Sequence, residues 1–305
     1  MPEPTAVIDH AAHSGYSDPG TFASLFDEIE PTVESVSSMA RNVVAHYRAQ
    51  ATELPESSRD DISLRWIDSI LATDQQRHAS SLTVKRPVGE RVQGCCRDHT
   101  LLAVSALRQR GVPARSRVGF ETYLSPTWNH DHVIVEAWFD GRWRRFDPEF
   151  APAVLGSIDT SDLSHGPDSA FLTAAQVWTA HRAGSLDVSR FGVAQDLGIG
   201  GDWFVHGYVI AQVAHRFGDE LLLWDIWGAM HDDLAAAPAE DVALIDEVAQ
   251  LLIRADEGDA GAERELHDRY RNDDRLHPGA EIRSASPNGG LFEVALTTRT
   301  ARRIE

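Results

Sequence analysis

The run HVIVEAWFDGRWRRFD, residues 132–147, constrains this chain more than any other stretch. Two segments of extended-favouring residues flank Asp140-Gly141, and a two-residue Asp-Gly turn fixes the register of a β-hairpin. Phe139 then faces Arg142, Trp138 faces Trp143, Glu136 faces Arg145, and Ile134 faces Asp147. Side chains alternate along a strand, so His132 shares a face with Ile134. His132 and Asp147 become diagonal neighbours, roughly 7–8 Å apart at the backbone, within reach for an imidazole and a carboxylate. Val133, Val135, Ala137, Phe139 and Phe146 form an apolar face suited to a core. Glu136 and Arg145 read as a supporting cross-strand ion pair.

The second constraint is the pair of cysteines, Cys95 and Cys96, the chain's complement of two. Adjacent cysteines cannot build a disulfide framework, so a cytoplasmic setting is the expectation. A strained bond between the two, acting as a redox lock, is a secondary reading beside that of Cys95 as a small tolerated side chain. Cys96 opens the segment CRDHTLLAVSALRQRG, a helix closed by Gly111 and Pro113. A thiol at a helix start is expected to have a lowered pKa. A reactive thiol needs a base and a group that orients the base. Cys96, His132 and Asp147 are the parts of such a triad. The backbone N–H of Cys96 is a natural oxyanion donor, with the Gln93 side chain as candidate for a second. Trp203, or Trp224, is a candidate lining residue for a substrate cleft.

The His130-Asp131-His132 step could be read as a metal pair on one strand face, but no cysteine or carboxylate spacing completes a zinc motif. The expectation is therefore no metal and no cofactor. His206, His215 and His231 lie in apolar stretches and read as core histidines. The formal net charge of −19 argues against nucleic acid and anionic membranes as partners. No segment approaches the ~20 apolar residues of a membrane span, and the N-terminus lacks the features of a secretory signal.

Along the chain, residues 1–20 are expected to form a flexible arm. Residues 21–168 form the core with N-terminal helices, one from Pro31 carrying Val33, Val36, Met39, Val43 and Tyr47 on a stripe, and one carrying Leu64, Ile67 and Leu71. Residues 114–123 read as a strand and 150–168 as a loop. Residues 169–277 are expected as a helical extension that includes DWFVHGYVIAQVAHRF, DELLLWDIWGAM and AEDVALIDEVAQLLIRA. Residues 278–305 read as a polar tail in which GLFEVALTT could pair as a strand.

Four of these motifs together resemble the transglutaminase-like superfamily: GCCRD (94–98), LRQRGVPAR (107–115), HVIVE (132–136) and WRRFDP (143–148). A weaker similarity to one bacterial branch, without settled activity, extends over roughly 86–230. The resemblance implies an α+β, papain-like core with the cysteine helix packed on an antiparallel sheet, and Cys96, His132 and Asp147 as the triad. Two departures stand out. The aromatic residue expected one or two positions after the family's histidine is replaced by Val133 and Ile134, and Cys95 occupies a position usually held by another small residue. The implied chemistry is acyl transfer through a thioester on a small-molecule, peptide or carrier-bound acyl substrate. Hydrolysis of an amide by the same thioester is the alternative, and a catalytically silent binding scaffold is the competing class. Nothing in the sequence sets the oligomeric state.

Overall fold

The computed structural model describes residues 7–151, 158–166 and 168–305. Parts of the expected N-terminal arm (1–6) and of the expected loop (152–157 and 167) lie outside the described residues.

Helix α1 (Val33–Val43) starts at Thr32, whose hydroxyl accepts from the Ser35 N–H, a standard N-cap arrangement. It ends earlier than the stripe through Tyr47 predicts. Val44–His46 leaves the helix as a short strand, β1, parallel to β2 (Val92–Gly94). The β-branched pair Val43-Val44 favours extension, and β2 supplies the partner. Between them, α2 (Ile67–Arg77) follows a 3-10 turn over Glu56–Ser63.

The segment after β2 forms α3 (Cys96–Gln109), closed by Gly111 at φ +73°. Strand β3 (Ala114–Glu121) follows and pairs antiparallel with β4 (Asn129–Phe139), which pairs with β5 (Arg142–Phe146). The hairpin register is the expected one, from Phe139 opposite Arg142 to Val135 opposite Phe146. Asp140 and Gly141 both have positive φ, at 51° and 81°, as the mirror-image hairpin turn requires. The two faces of β4 enter different clusters. Val133, Val135 and Ala137 join the main core with α3, whereas Ile134 packs with Leu163 and Phe171.

The sheet does not stop at residue 168. Strand β6 (Phe171–Thr173) pairs with β3, and β7 (Phe191–Ala194) pairs parallel with the start of β4 and antiparallel with β8 (Ile199–Gly200). The helical extension therefore donates edge strands before and between α4 (Ala174–Arg182) and α5 (Asp202–Arg216). DELLLWDIWGAM is not a helix. Gly218 at φ +93° ends α5, and the chain runs on irregularly with Leu221 and Leu222 buried and a short strand, β9, at Asp225–Ile226. Helices α6 (Ala239–Asp256) and α7 (Ala260–Asn272) follow.

Both expected loose ends are ordered in their described parts. Residues 7–20 lie against α3 and the start of β3: the Ala114 N–H donates to His10 O, and Ser105 and Arg108 donate to Ser17. The C-terminal stretch forms β10 (Glu281–Ala285), β11 (Leu291–Ala295) and β12 (Thr300–Arg303), which complete a sheet with β9. Alternate burial of Ile282 and Ser284 along EIRSA supports a half-buried strand there. Arg65 clamps this sheet by a buried two-pronged ion pair to Asp225.

Around Glu136, the expected pair with Arg145 (2.8 Å) belongs to a larger buried network. Arg115 donates to Glu136 at 2.7 Å, and Arg117 and Arg216 pair with Asp256 at the end of α6. Through Arg117 and Arg145, that network ties the C-terminal end of α6 to the sheet.

Candidate active site

Strand β4 positions the site through a gap in its pairing. One edge is covered by β3 from His130 to Ala137. The other edge pairs with β7 only at Asn129 and His130, and with β5 only from Val135 onward. Residues 131–134 lie between. Helix α3 enters this gap, where the Thr100 hydroxyl donates to Val133 O at 2.8 Å. Cys96 lies one turn before Thr100 on the same helix face, so this single hydrogen bond sets the thiol beside His132.

The GCCRD motif has a local physical basis. The Asp98 carboxylate accepts from the Cys95 N–H at 2.8 Å and holds the start of α3, as an acidic residue at the third helical position does. A Cβ on Gly94 would lie 2.7 Å from Asp98 Oδ2 and 2.9 Å from Val44 Cγ1. Glycine is needed because β1 and the capping carboxylate both approach there. Arg97 is buried and donates to the carbonyls of Arg65 and Glu220, which ties the thiol loop to the segment after α5. Gly94→Ala is expected to cost about 1–3 kcal/mol by overpacking, read as a lowered urea midpoint with an unchanged slope.

His132 and Asp147 meet, with Nε2 and Oδ2 2.7 Å apart. The Tyr123 hydroxyl also donates to Asp147 Oδ2, and the Glu149 N–H donates to Oδ1 at 2.9 Å. Cys96 Sγ, one ring nitrogen of His132 and a carboxylate oxygen of Glu149 lie within 4.8 Å of one another. Cys96, His132 and Asp147 are all buried, at 5%, 4% and 2% exposure. Aromatic rings enclose them. Tyr123 meets the His132 ring edge-on at 6.2 Å, and Phe150 lies at 6.0 Å. These supply the aromatic contact that the sequence lacks directly after His132. A groove of about 710 Å³ beside α1 is lined by Met39, Arg41, Lys85 and Arg91 but not by Cys96 or His132. Arg41 also donates to Pro148 O, next to Asp147.

The electrostatics overturn one expectation. The Cys96 thiol is not lowered by its helix start. The hydrogen-bonded Cys95 thiol, burial, and the negative charges of Glu149 and Asp131 push it well above its usual range. Burial favours a neutral His132, but the charge and hydrogen bond of Asp147, with Glu149, outweigh it and push the imidazole up to about 9. Burial works against the Asp147 carboxylate, yet His132 and Tyr123 hold it below its ordinary value. Burial pushes Glu149 up to about 8. Cys96, His132 and Glu149 therefore hold their protons near neutral pH, and Asp147 does not.

Of the further candidates, neither Gln93 nor Trp203 makes a hydrogen bond or ring contact to Cys96, His132 or Asp147 among the described residues. Gln93 points its amide away, donating to Ser58 Oγ at 2.7 Å and Pro55 O at 3.3 Å. It sits on a strand rather than a helix, so a three-residue step to Cys96 reverses the side it faces. Trp203, at the start of α5, packs edge-on against Phe204 at 5.5 Å. Tyr208, five positions on and about 140° around the helix, is the α5 residue that reaches the site, donating to Asp131. Trp224 packs against Tyr47 at 6.3 Å. His130 pairs with Glu121 at 2.7 Å. Sequence reasoning missed Glu149, Tyr123, Tyr208 and Asp131. For Glu149 a signal existed: Asp147-Pro148 favours a turn in which the aspartate carboxylate accepts the N–H two residues on, which holds Glu149 beside Asp147.

No curated protein matches the chain. Among solved structures, a candidate cysteine protease from Cytophaga hutchinsonii is similar at 22% identity and a TM-score of 0.31, over 47% of this chain and 42% of that one. This chain thus spans less than half of that protein. Residues 38–148 match the family model of the transglutaminase-like superfamily. That segment, a little over a third of the chain, runs from within α1 through the hairpin to Pro148 and is similar to a transglutaminase-like core.

Proposed function

We propose that this chain catalyses acyl transfer through a thioester on Cys96. The observation that carries the reading is the 2.7 Å bond from His132 to Asp147 with the Cys96 sulfur within 4.8 Å of the same imidazole. With His132 held near 9, the reacting fraction is the one with a neutral imidazole; in it the Cys96 sulfur attacks the acyl carbon and His132 takes the thiol proton. The carbonyl electrons move to oxygen, where the first-turn N–H of Cys96, which has no intrahelical acceptor, is placed to donate. Collapse of the adduct expels the donor amine, which receives the proton from His132. An acceptor then attacks the thioester, gives its proton to His132, and releases the thiol. Asp147 holds the imidazole through Nε2, which leaves Nδ1 to face the chemistry.

An amine acceptor is favoured over water by the depth of the site. A thiol at 5% exposure, beside a His132 ring that meets Tyr123 and Phe150, has little access to bulk water, and exclusion of water protects a reactive acyl intermediate. The test is mass spectrometry after incubation with a glutamine peptide or an activated acyl ester, with and without added primary amines. Amide products that outpace free acid support the transferase reading. Acid alone moves the chain to the amidase or peptidase class. Absence of any adduct on Cys96 overturns both and leaves the binding scaffold.

A further inference from the structure

Glu149 has no part in the acyl-transfer scheme, yet its carboxylate completes a cluster with Cys96 and His132. Its Oε2 atom is buried without a hydrogen-bond partner among the described residues. Its backbone is fixed by the Asp147 carboxylate, which accepts the Glu149 N–H. An orphaned carboxylate oxygen beside a thiol and an imidazole is what a metal ligand looks like before the metal arrives.

We propose that Cys96, His132 and Glu149 form a three-ligand site for Zn²⁺, and that its occupancy withdraws the Cys96 thiol from reaction. The donor set is one thiolate, one imidazole and one carboxylate, all within zinc's preferred ligands and three in number, as in open zinc sites. Sulfur in the set disfavours the hard cations Mg²⁺ and Ca²⁺. A tetrahedral zinc with bonds of about 2.0–2.3 Å keeps its ligands roughly 3.3–3.8 Å apart. The observed separations of up to 4.8 Å therefore need a closure of about 1 Å, within reach of side-chain rotation. The shell behind the ligands is also in place. Asp147 holds His132 by Nε2, the carboxylate–histidine arrangement that orients a metal-bound imidazole. Asp147 is itself held by Tyr123 and by the Glu149 N–H.

The metal-binding claim stands on geometry. Only its consequence, inhibition, rests on Cys96 being the nucleophile. The experiment follows iodoacetamide labelling of Cys96, located by peptide mass spectrometry, in the chelator-treated chain titrated with ZnCl₂ against a competing fluorescent chelator. Zinc is expected to slow Cys96 labelling saturably at one equivalent, with MgCl₂ and CaCl₂ without effect at the same concentrations. Glu149→Gln is expected to raise the zinc concentration for half-protection by at least about tenfold, the lower end of what loss of even a supporting residue costs. Far-UV circular dichroism and melting in chelator verify that this variant folds. Absence of zinc protection in the unmodified chain overturns the proposal, and so does protection that is unchanged in Glu149→Gln. Reading the peptide separates this site from the chain's other histidines. Labelling that does not depend on His132 would sink the enzyme reading while leaving the zinc result to stand or fall by itself.

Discussion

Replacing Cys96 with serine is expected to lower acyl transfer by at least about four orders of magnitude, the scale of losing a nucleophile. Cys95→Ala is expected to do the opposite to the neighbouring thiol and make it more reactive. The two cysteines are adjacent in sequence but play opposed parts. Two adjacent buried thiols cannot both ionise cheaply, so Cys95 leads the causes that hold Cys96 well above its ordinary value. Without it, a larger share of Cys96 is thiolate at alkaline pH, where Cys95 would otherwise compete for the charge. Each unit by which the value falls multiplies that share by about ten. The measurement is iodoacetamide labelling near pH 10, where thiols held above their ordinary range begin to ionise, in the presence of a chelator. Labelling is expected to be faster in Cys95→Ala than in the unmodified chain and absent from position 96 in Cys96→Ser. Slower labelling in Cys95→Ala, with a normal melting curve, would contradict this account. The small void left by the lost sulfur costs about 1 kcal/mol, too little to explain such a result by unfolding.

This opposition was not visible in the sequence, and the reason is instructive. A thiol at a helix start is expected to be acidic because of the helix dipole. The dipole acts here as well, but it is worth at most ~2 kcal/mol even in favourable partly buried sites. Burial among Cys95, Asp131 and Glu149 acts the other way. Burial and carboxylate neighbours are tertiary facts. Asp131 adjoins His132 in sequence and Glu149 follows Asp147 by two, yet their closeness to Cys96 depends on how α3 meets the gap in β4.

What was legible is what local rules fix. The Asp140-Gly141 turn dictates the register that brings Asp147 beside His132, and the structure keeps that register pair by pair. The start and stop of α3 follow from Asp98 and Gly111. The errors lie where partners distant in sequence decide. Val44–His46 reads as helix until Val92–Gly94 is known to run beside it. LLLW at 221–224 has a helix-like apolar density but is buried as irregular chain. Strands of two to four residues, such as β6 and β7, are too short to show a period. Gly119 illustrates the point. A Cβ there would lie 2.1 Å from Leu172 O, so the glycine opposite His132 exists to let β6 pass, which nothing near residue 119 announces.

Asp147→Asn carries the second large effect, and its sign can be worked out for both rate and stability. Asparagine keeps the size of the side chain but not the charge that stabilises the imidazolium or selects its tautomer. A loss on the order of 10³–10⁴ in turnover is expected, as when the aspartate of such a triad is neutralised. For stability, His132 is held at about 9 in the folded chain against an ordinary 6.5. A raised value contributes stability that is fully present below the unfolded value and disappears as pH rises through the folded one. Asp147 is depressed, so its own contribution is present above the unfolded carboxylate value, roughly 3.9, and is lost as pH falls through the folded value. Both contributions coexist between about pH 4 and 6.5, where the gap between the unmodified chain and Asp147→Asn is widest. Between pH 6.5 and 10 the His132 part is withdrawn. The 2.5 units between 6.5 and 9 set its ceiling on the order of 3 kcal/mol, of which Glu149 and Glu121 supply a share that survives in the variant. Urea unfolding of both proteins at pH 6, 8 and 10, with chelator present, is expected to show the gap narrowing with pH. A gap that stays constant would mean that His132 gains its proton from something other than Asp147, and the carboxylate would then be a structural anchor for Tyr123 and Glu149 rather than the partner of the base.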